Sequence, residues 1–321
     1  MKAESVRIPE AITDVVTGRK ISLLDWKATN QRASILLVVF LVGLLASIGY
    51  LVAQVFEPGA ALFFVGFASL LALSQSAVAF WAGDRVVLVA SGARPANRDE
   101  HRYLVNITEA VSIGAGVPRP KLYVIDSEAP NAFATGRDPN HGVVVVTTGL
   151  IALLDRQELE GVIAHELAHV KNYDILLMSL LAATVGAIVL LRDIVFRSMR
   201  FGGRRYRSAG GGSRGGKSQM VVFVLLALLM ILAPVLAVAL RMAVSRRREY
   251  LADATGAYIT RNPEGLARAL EKLLEYRGAP LAVSEGLRHM LFVNPVRALN
   301  AANIFATHPP LEDRIDRLRR M

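Results

Sequence analysis

The chain contains no cysteine. That excludes a disulfide scaffold, a thiolate metal site and a cysteine nucleophile together. It contains no internal repeat, and acids are in the minority, 27 Asp+Glu against 37 Lys+Arg, for a formal charge of +10. Charged residues are 20% and hydrophobic residues 53% of the 321, which excludes intrinsic disorder. A mean hydropathy of +0.39 is too high for an ordinary soluble globule unless the apolar residues are gathered into long runs. A pI near 10.1 points first to an anionic partner, either nucleic acid or a lipid headgroup surface.

Four runs account for the hydropathy. Ser34–Val55 and Gly59–Gly83 carry no charge and are long enough to span a bilayer. Only Phe56, Glu57 and Pro58 separate them, so a tight helical hairpin is expected, with Trp81 at an interface. Ile175–Leu191, at the short end of the spanning range, and Met220–Leu240, which contains Pro234, form a second hairpin. The first run follows 33 mixed polar residues, too long a leader for a removable signal peptide, and reads as a retained anchor.

The chain thus divides into a polar N-terminal segment 1–33, hairpin 34–83, a block 84–174, hairpin 175–240 and a block 241–321. In the first block a helix-like stretch, Asn97–Ile113, precedes short strand-like runs at Lys121–Asp126, Asn131–Thr135 and Gly142–Thr147. From Arg156 the pattern turns helical, and block 241–321 is mostly helical. Loop 192–218 is Gly/Ser/Arg-rich and holds eight basic residues against Asp193, so it carries +7 of the +10. The basic signal therefore belongs to one loop between membrane segments, suited to lipid headgroups rather than nucleic acid.

The chemistry gathers at His165-Glu166-Leu167-Ala168-His169. On a helix, residues i and i+4 share a face one turn apart, so both imidazoles reach one cation, and Glu166 is rotated to the side where a general base is needed. Alone the pattern also fits a helix with two incidental histidines. A second pair raises it: Glu249 and Asp253 are again i and i+4. Glu249 can supply the third ligand, leaving the fourth position open. Asp253 can accept a hydrogen bond from the far ring nitrogen of a ligand, most naturally His165, and so fix its tautomer. A charged helix surface gives the same spacing without any metal. His101, His141 and His289 have no spaced partners and read as structural or solvated.

PNAFATG, HELAHVKNYD, EYLADATGA and THPPLEDR, in this order and in a chain with four apolar runs, resemble the HtpX family of integral-membrane zinc metalloproteases, relatives of the type I CAAX prenyl endopeptidases. The resemblance runs from the first apolar run to Arg319. It implies an α+β gluzincin-type domain, mostly helical with a small sheet, joined to about four transmembrane helices. It implies one zinc ion per chain on His165, His169 and Glu249, with Glu166 activating the attacking water, and a role in proteolytic quality control of misfolded or damaged membrane proteins. By the same resemblance, Asn131, Ala132 and Phe133 belong to an edge strand that pairs with an extended substrate; a plain structural strand is the alternative. The resemblance also places His308 and Arg314 near the tetrahedral oxyanion, although His308 equally fits a turn before a Pro-initiated helix.

Because His165 and His169 precede the second hairpin and Glu249 follows it, one metal site requires residues 175–240 to cross the membrane an even number of times. Lys/Arg flanks and the family reading put the catalytic blocks in the cytoplasm. Loop 192–218 conflicts with that rule unless it is translocated despite its charge or the hairpin only dips into the bilayer. A prenyl endopeptidase shares the ligands but needs more spans for an intramembrane chamber. A zinc-binding scaffold has no use for Glu166, and a transporter needs ionisable residues inside its spans, where none occur.

Overall fold

Val143–Val146 is an unbroken run of β-branched residues, the pattern of a strand buried on both faces. In the computed structural model, which describes residues 11–13, 20–56, 58–181, 246–279, 281, 291–292 and 309–321, it is the inner strand of a four-stranded sheet. In chain order the elements are β1 (Ala11–Thr13), β2 (Lys20–Ser22), α1 (Leu23–Phe56), α2 (Ala61–Ser91), β3 (Arg94–Pro95), α3 (Arg102–Ala115), β4 (Lys121–Ile125), β5 (Ala132–Thr135), β6 (Val143–Thr147), α4 (Thr148–Leu153) and α5 (Arg156–Lys171). Then come α6 (174–181), α7 (Arg246–Thr260), α8 (Pro263–Glu275) and α9 (Leu311–Arg319). β1 and β2 form a separate ribbon, while the main sheet runs β3-β4-β6-β5. There β4 and β6 are parallel, and β5 is antiparallel to β6 at the edge.

Alternation along the strands builds two cores. Val144, Val146, Ala132 and Ala134 face α3, α5, α8 and α9. Val143, Val145 and Phe133 face Leu37 of α1, Ala79, Val87 and Leu88 of α2, and Leu177 and Leu181 of α6. Each fully buried valine contributes about 1.5–3 kcal/mol, so β6 stabilises both layers.

The two expected membrane helices form, and both outrun their apolar segments. α1 begins eleven residues before Ser34 and α2 continues past Gly83 through Asp84 and Arg85; the extensions join the domain beside the membrane. Among the described residues, Lys27–Ser47 and Ala61–Ser91 are the helices long and apolar enough to cross a bilayer. Ile35, Leu36, Leu62, Phe63 and Val89 stand exposed along them, a surface that only lipid or a partner covers favourably. Close packing of the hairpin requires Gly49, where a Cβ would lie 2.6 Å from the Phe64 carbonyl oxygen. The fourth apolar run, loop 192–218 and residues 182–191 of the third run lie outside the described residues. The opening of the third run, 175–181, is buried against the sheet and α2, with Ser179 Oγ 3.1 Å from Thr135 Oγ1.

Strands β4, β5 and β6 fall within a residue of their expected limits, and α5 starts at Arg156 as expected. A reciprocal capping box fixes that start: Asp155 accepts from the Glu158 N–H at 3.0 Å, and Glu158 accepts from the Asp155 N–H at 2.8 Å. The expected helix at Asn97 forms only from Arg102, because Asn97–His101 makes a turn with the Asp99 N–H donating to Asn97 Oδ1.

Candidate metal centre

Helix α5 carries His165, Glu166 and His169 into the core, and α7 crosses it with Glu249 and Asp253. Gly256 permits the approach: a Cβ there would meet the His165 backbone nitrogen at 3.0 Å. Nε2 of His165 and Nε2 of His169 lie 3.1 Å apart, with Glu249 oxygens 3.6 Å and 3.7 Å from them respectively. A tetrahedral zinc with bonds of about 2.0–2.2 Å separates its donors by about 3.3–3.6 Å. The three groups form a candidate cation site.

The chemistry of the donors agrees. His165 Nδ1 is 2.9 Å from Asp253 and His169 Nδ1 is 2.8 Å from Asp174. With each Nδ1 proton directed at a carboxylate, both Nε2 lone pairs turn toward the same point. Burial pulls His165 down to about 4, against the partial support of Asp253. For His169 burial acts the same way, but the hydrogen bond to Asp174 and the charge of Glu249 outweigh it and raise the ring to about 9. Without a cation, His169 is therefore the imidazolium and His165 the neutral ring at pH 7. Burial also raises Glu166 to about 7, opposed by His169 and by the Ala134 N–H its carboxylate accepts.

Asn131, Ala132 and Phe133 open the sheet's edge strand, but the start of that edge is covered. The Thr147 N–H donates to the Asn131 carbonyl, so by alternation Ala132 and Ala134 direct their backbone groups outward. Ala132 O accepts the Phe292 N–H at 2.8 Å, and the Ala132 N–H donates to Asn131 Oδ1 at 2.9 Å. The Phe292 ring packs edge-on to His165 at 4.9 Å.

Arg314, expected near the oxyanion, lies against the candidate ligands, with Nη2 3.4 Å from His165 Nδ1. Its side chain is fully buried, with Nε and Nη2 forking onto Asp253 at 2.8 Å and 2.7 Å and Nη1 3.6 Å from Glu249. Two buried carboxylates draw the guanidinium inward, which makes it a support for the ligands. Asp253 stands where expected, against His165; burial raises its pKa, but Arg314 and His165 hold it below the usual carboxylate value. His308 and His289 lie outside the described residues. His101 sits beside Glu100, and His141 binds Asp138 and Arg137, as side chains without a ligand role. Neither spacing nor periodicity marks Asp174, Ala134 or Phe292 as site residues, although Asp174, five positions after His169, closes the HELAHVKNYD motif.

A candidate cation site on crossing helices, a buried carboxylate beside it and an attached pair of bilayer-length helices are the features of a membrane zinc metalloprotease. The model of peptidase family M48 matches residues 98–321, and the chain belongs to that family. It is 42% identical to the protease HtpX homolog of Caldanaerobacter subterraneus subsp. tengcongensis over 303 residues, 94% of this chain and 98% of the relative. The protease HtpX homolog of Thermococcus sibiricus is 41% identical over 288 residues, 89% of this chain and 94% of that one. Among solved structures, S. mikatae Ste24p is similar in fold, with a TM-score of 0.50 and 19% identity, covering 92% of this chain and 67% of that one.

Proposed function

We propose that this protein is a membrane-integral zinc endopeptidase of the gluzincin type that hydrolyses peptide bonds of misfolded or damaged membrane proteins. The reading assigns one zinc ion to His165, His169 and Glu249, four membrane helices in two hairpins (34–83 and 175–240), and catalytic segments 84–174 and 241–321 on the cytoplasmic side. The observation that carries it is the convergence of three donor groups with a buried carboxylate, Glu166, one position along the same helix.

When bound, zinc supplies Lewis acidity that polarises the scissile carbonyl and acidifies water. Glu166, buried one position along from His165, is placed to take a proton from the attacking water and pass it to the leaving amine. Asp253 and Asp174 hold the two Nδ1 protons, so neither ring can turn its lone pair away. Arg314 offsets the negative charge of Asp253 and Glu249. An extended peptide approaches the β5 edge at Ala134, beside Glu166, and to pair along that edge it must displace Phe292 from the Ala132 carbonyl. From the resemblance, His308 donates to the oxyanion in the transition state.

Glu166→Gln tests the reading, since the amide keeps the shape and still accepts the Ala134 N–H. It should retain zinc, measured by metal analysis, while cleavage of casein or an unfolded membrane protein falls by about 10²–10⁴-fold. Undiminished proteolysis at full metal occupancy refutes the assignment.

A further inference from the structure

An asparagine near the start of a membrane helix needs an explanation. Asn30 lies within the Lys27–Ser47 span of α1 yet is 2% exposed. Burying its carboxamide without partners is unfavourable, because the polar group gives up water for nothing. The carboxamide is instead fully engaged. Nδ2 donates to the Asn172 carbonyl at 3.0 Å and to Asp174 Oδ1 at 2.5 Å, and Oδ1 accepts from Arg248 Nη2 at 3.3 Å.

These partners lead to the metal centre. Asp174 Oδ1 faces Asn30 and Arg248, whose Nε is 3.1 Å away, while Oδ2 faces His169 Nδ1 at 2.8 Å. The carboxylate that orients His169 is therefore itself oriented by a residue of α1 and a residue of α7. The turn that presents Asp174 includes Tyr173 at φ 62°, a left-handed conformation unfavourable for a bulky side chain. α1 braces that turn a second time, with Lys27 Nζ 4.4 Å from the centre of the Tyr173 ring.

We propose that Asn30 is a positioning residue of the metal centre: through Asp174 it sets the ring of His169, so that the seating of the first membrane helix and ligand geometry are coupled. The inference rests on the zinc reading above. It gives α1 a role besides anchorage, because displacement of its first turns loosens a ligand. Groups orienting a ligand histidine commonly contribute 10–100-fold in metal affinity, and Asn30 acts one step further out.

Zinc affinity, measured by competition with a chromogenic chelator on the full chain in detergent, tests it. Asp174→Asn should weaken binding about 10–100-fold and Asn30→Leu about tenfold. The double variant should bind no more weakly than Asp174→Asn alone, because the two act in series. The cobalt-substituted Asn30→Leu protein should show a shifted ligand-field spectrum, which a defect in helix packing alone does not produce. Ser47→Ala, on an exposed stretch of α1, should match the parent. Wild-type affinity and spectrum in Asn30→Leu, or additive losses in the double variant, overturn the proposal. His165→Ala separates the two ideas: if it binds zinc normally, the ligand assignment fails, whatever Asn30 does. Should Asn30→Leu not fold, reciprocal linkage supplies the measurement on the parent protein. Zinc must then slow hydrogen exchange of amides 27–34 about tenfold, and unchanged exchange overturns the coupling.

Discussion

Replacing Arg314 with Met should damage the catalytic half of the molecule more than any surface change, and the loss can be worked from its contacts. The guanidinium forks onto Asp253 at 2.7 Å and 2.8 Å, lies 3.6 Å from Glu249, and its carbon sits 5.0 Å from the Phe292 ring centre. Removing one partner of a buried pair costs about 3–5 kcal/mol, mostly because the other charge is stranded. Against a total stability of about 5–15 kcal/mol that is severe. Hydrogen exchange on the metal-free protein reads it locally: at about 1.4 kcal/mol per factor of ten, slow amides of α5 and α7 should lose about 150- to 4,000-fold of their protection. The decisive arm adds Asp253→Asn to Arg314→Met. If the cost is a stranded carboxylate, neutralising it should restore about 1–3 kcal/mol, so the double variant is the more stable of the two. A further loss of protection in the double variant, or an Arg314→Met protein exchanging like the parent, refutes the argument.

Two other predictions concern the ligands directly. His169, raised to about 9 in the metal-free site, holds a proton at pH 7 that a cation must displace, so zinc affinity should climb about tenfold per pH unit toward 9 and level off above it. Calorimetry in buffers of different ionisation enthalpy should then detect about one proton released per zinc, and buffer-independent heats would count against a protonated His169. Folding of the metal-free chain follows the opposite sign, since the His169 contribution is present in full below about 6.5 and is lost as pH rises through 9. Gly256→Val places a side chain where the His165 backbone already lies 3.0 Å from an ideal Cβ; we expect about 1–3 kcal/mol of destabilisation and weakened zinc binding as α7 moves off α5. Unaltered affinity would show that Glu249 does not depend on that close approach.

The parts of the site that share one helix are legible in the chain. His165, Glu166 and His169, and then Glu249 and Asp253, are set by i,i+4 geometry within α5 and α7, and the strands by β-branched runs between Gly, Pro and Asn. Contacts made across the fold leave no periodic mark. Asp174 meets His169 only because the chain reverses at Tyr173 into a left-handed turn, and nothing in a tyrosine announces that conformation. Asn30 reaches a carboxylate 144 positions away. Arg314 illustrates a different limit: its motif marks it as near the site, but only the positions of Asp253 and Glu249 decide which carboxylates it meets. The two-residue strand β3 is too short for any alternation to be read.

The sheet explains why a protease of this kind is not simply a soluble domain on a tether. One face of β6 packs on α5, the helix that bears two ligands; the other packs against residues from α1, α2 and α6. The membrane helices therefore complete the second core of the catalytic domain. Deleting the chain before β3 would strip α1 and α2 from Val143, Val145 and Phe133, each now at most 2% exposed, at a cost of up to about 1.5–3 kcal/mol per side chain. The same deletion removes Asn30 from Asp174. Stability and ligand geometry are thus drawn from the same helices, and the membrane portion belongs to the catalytic fold.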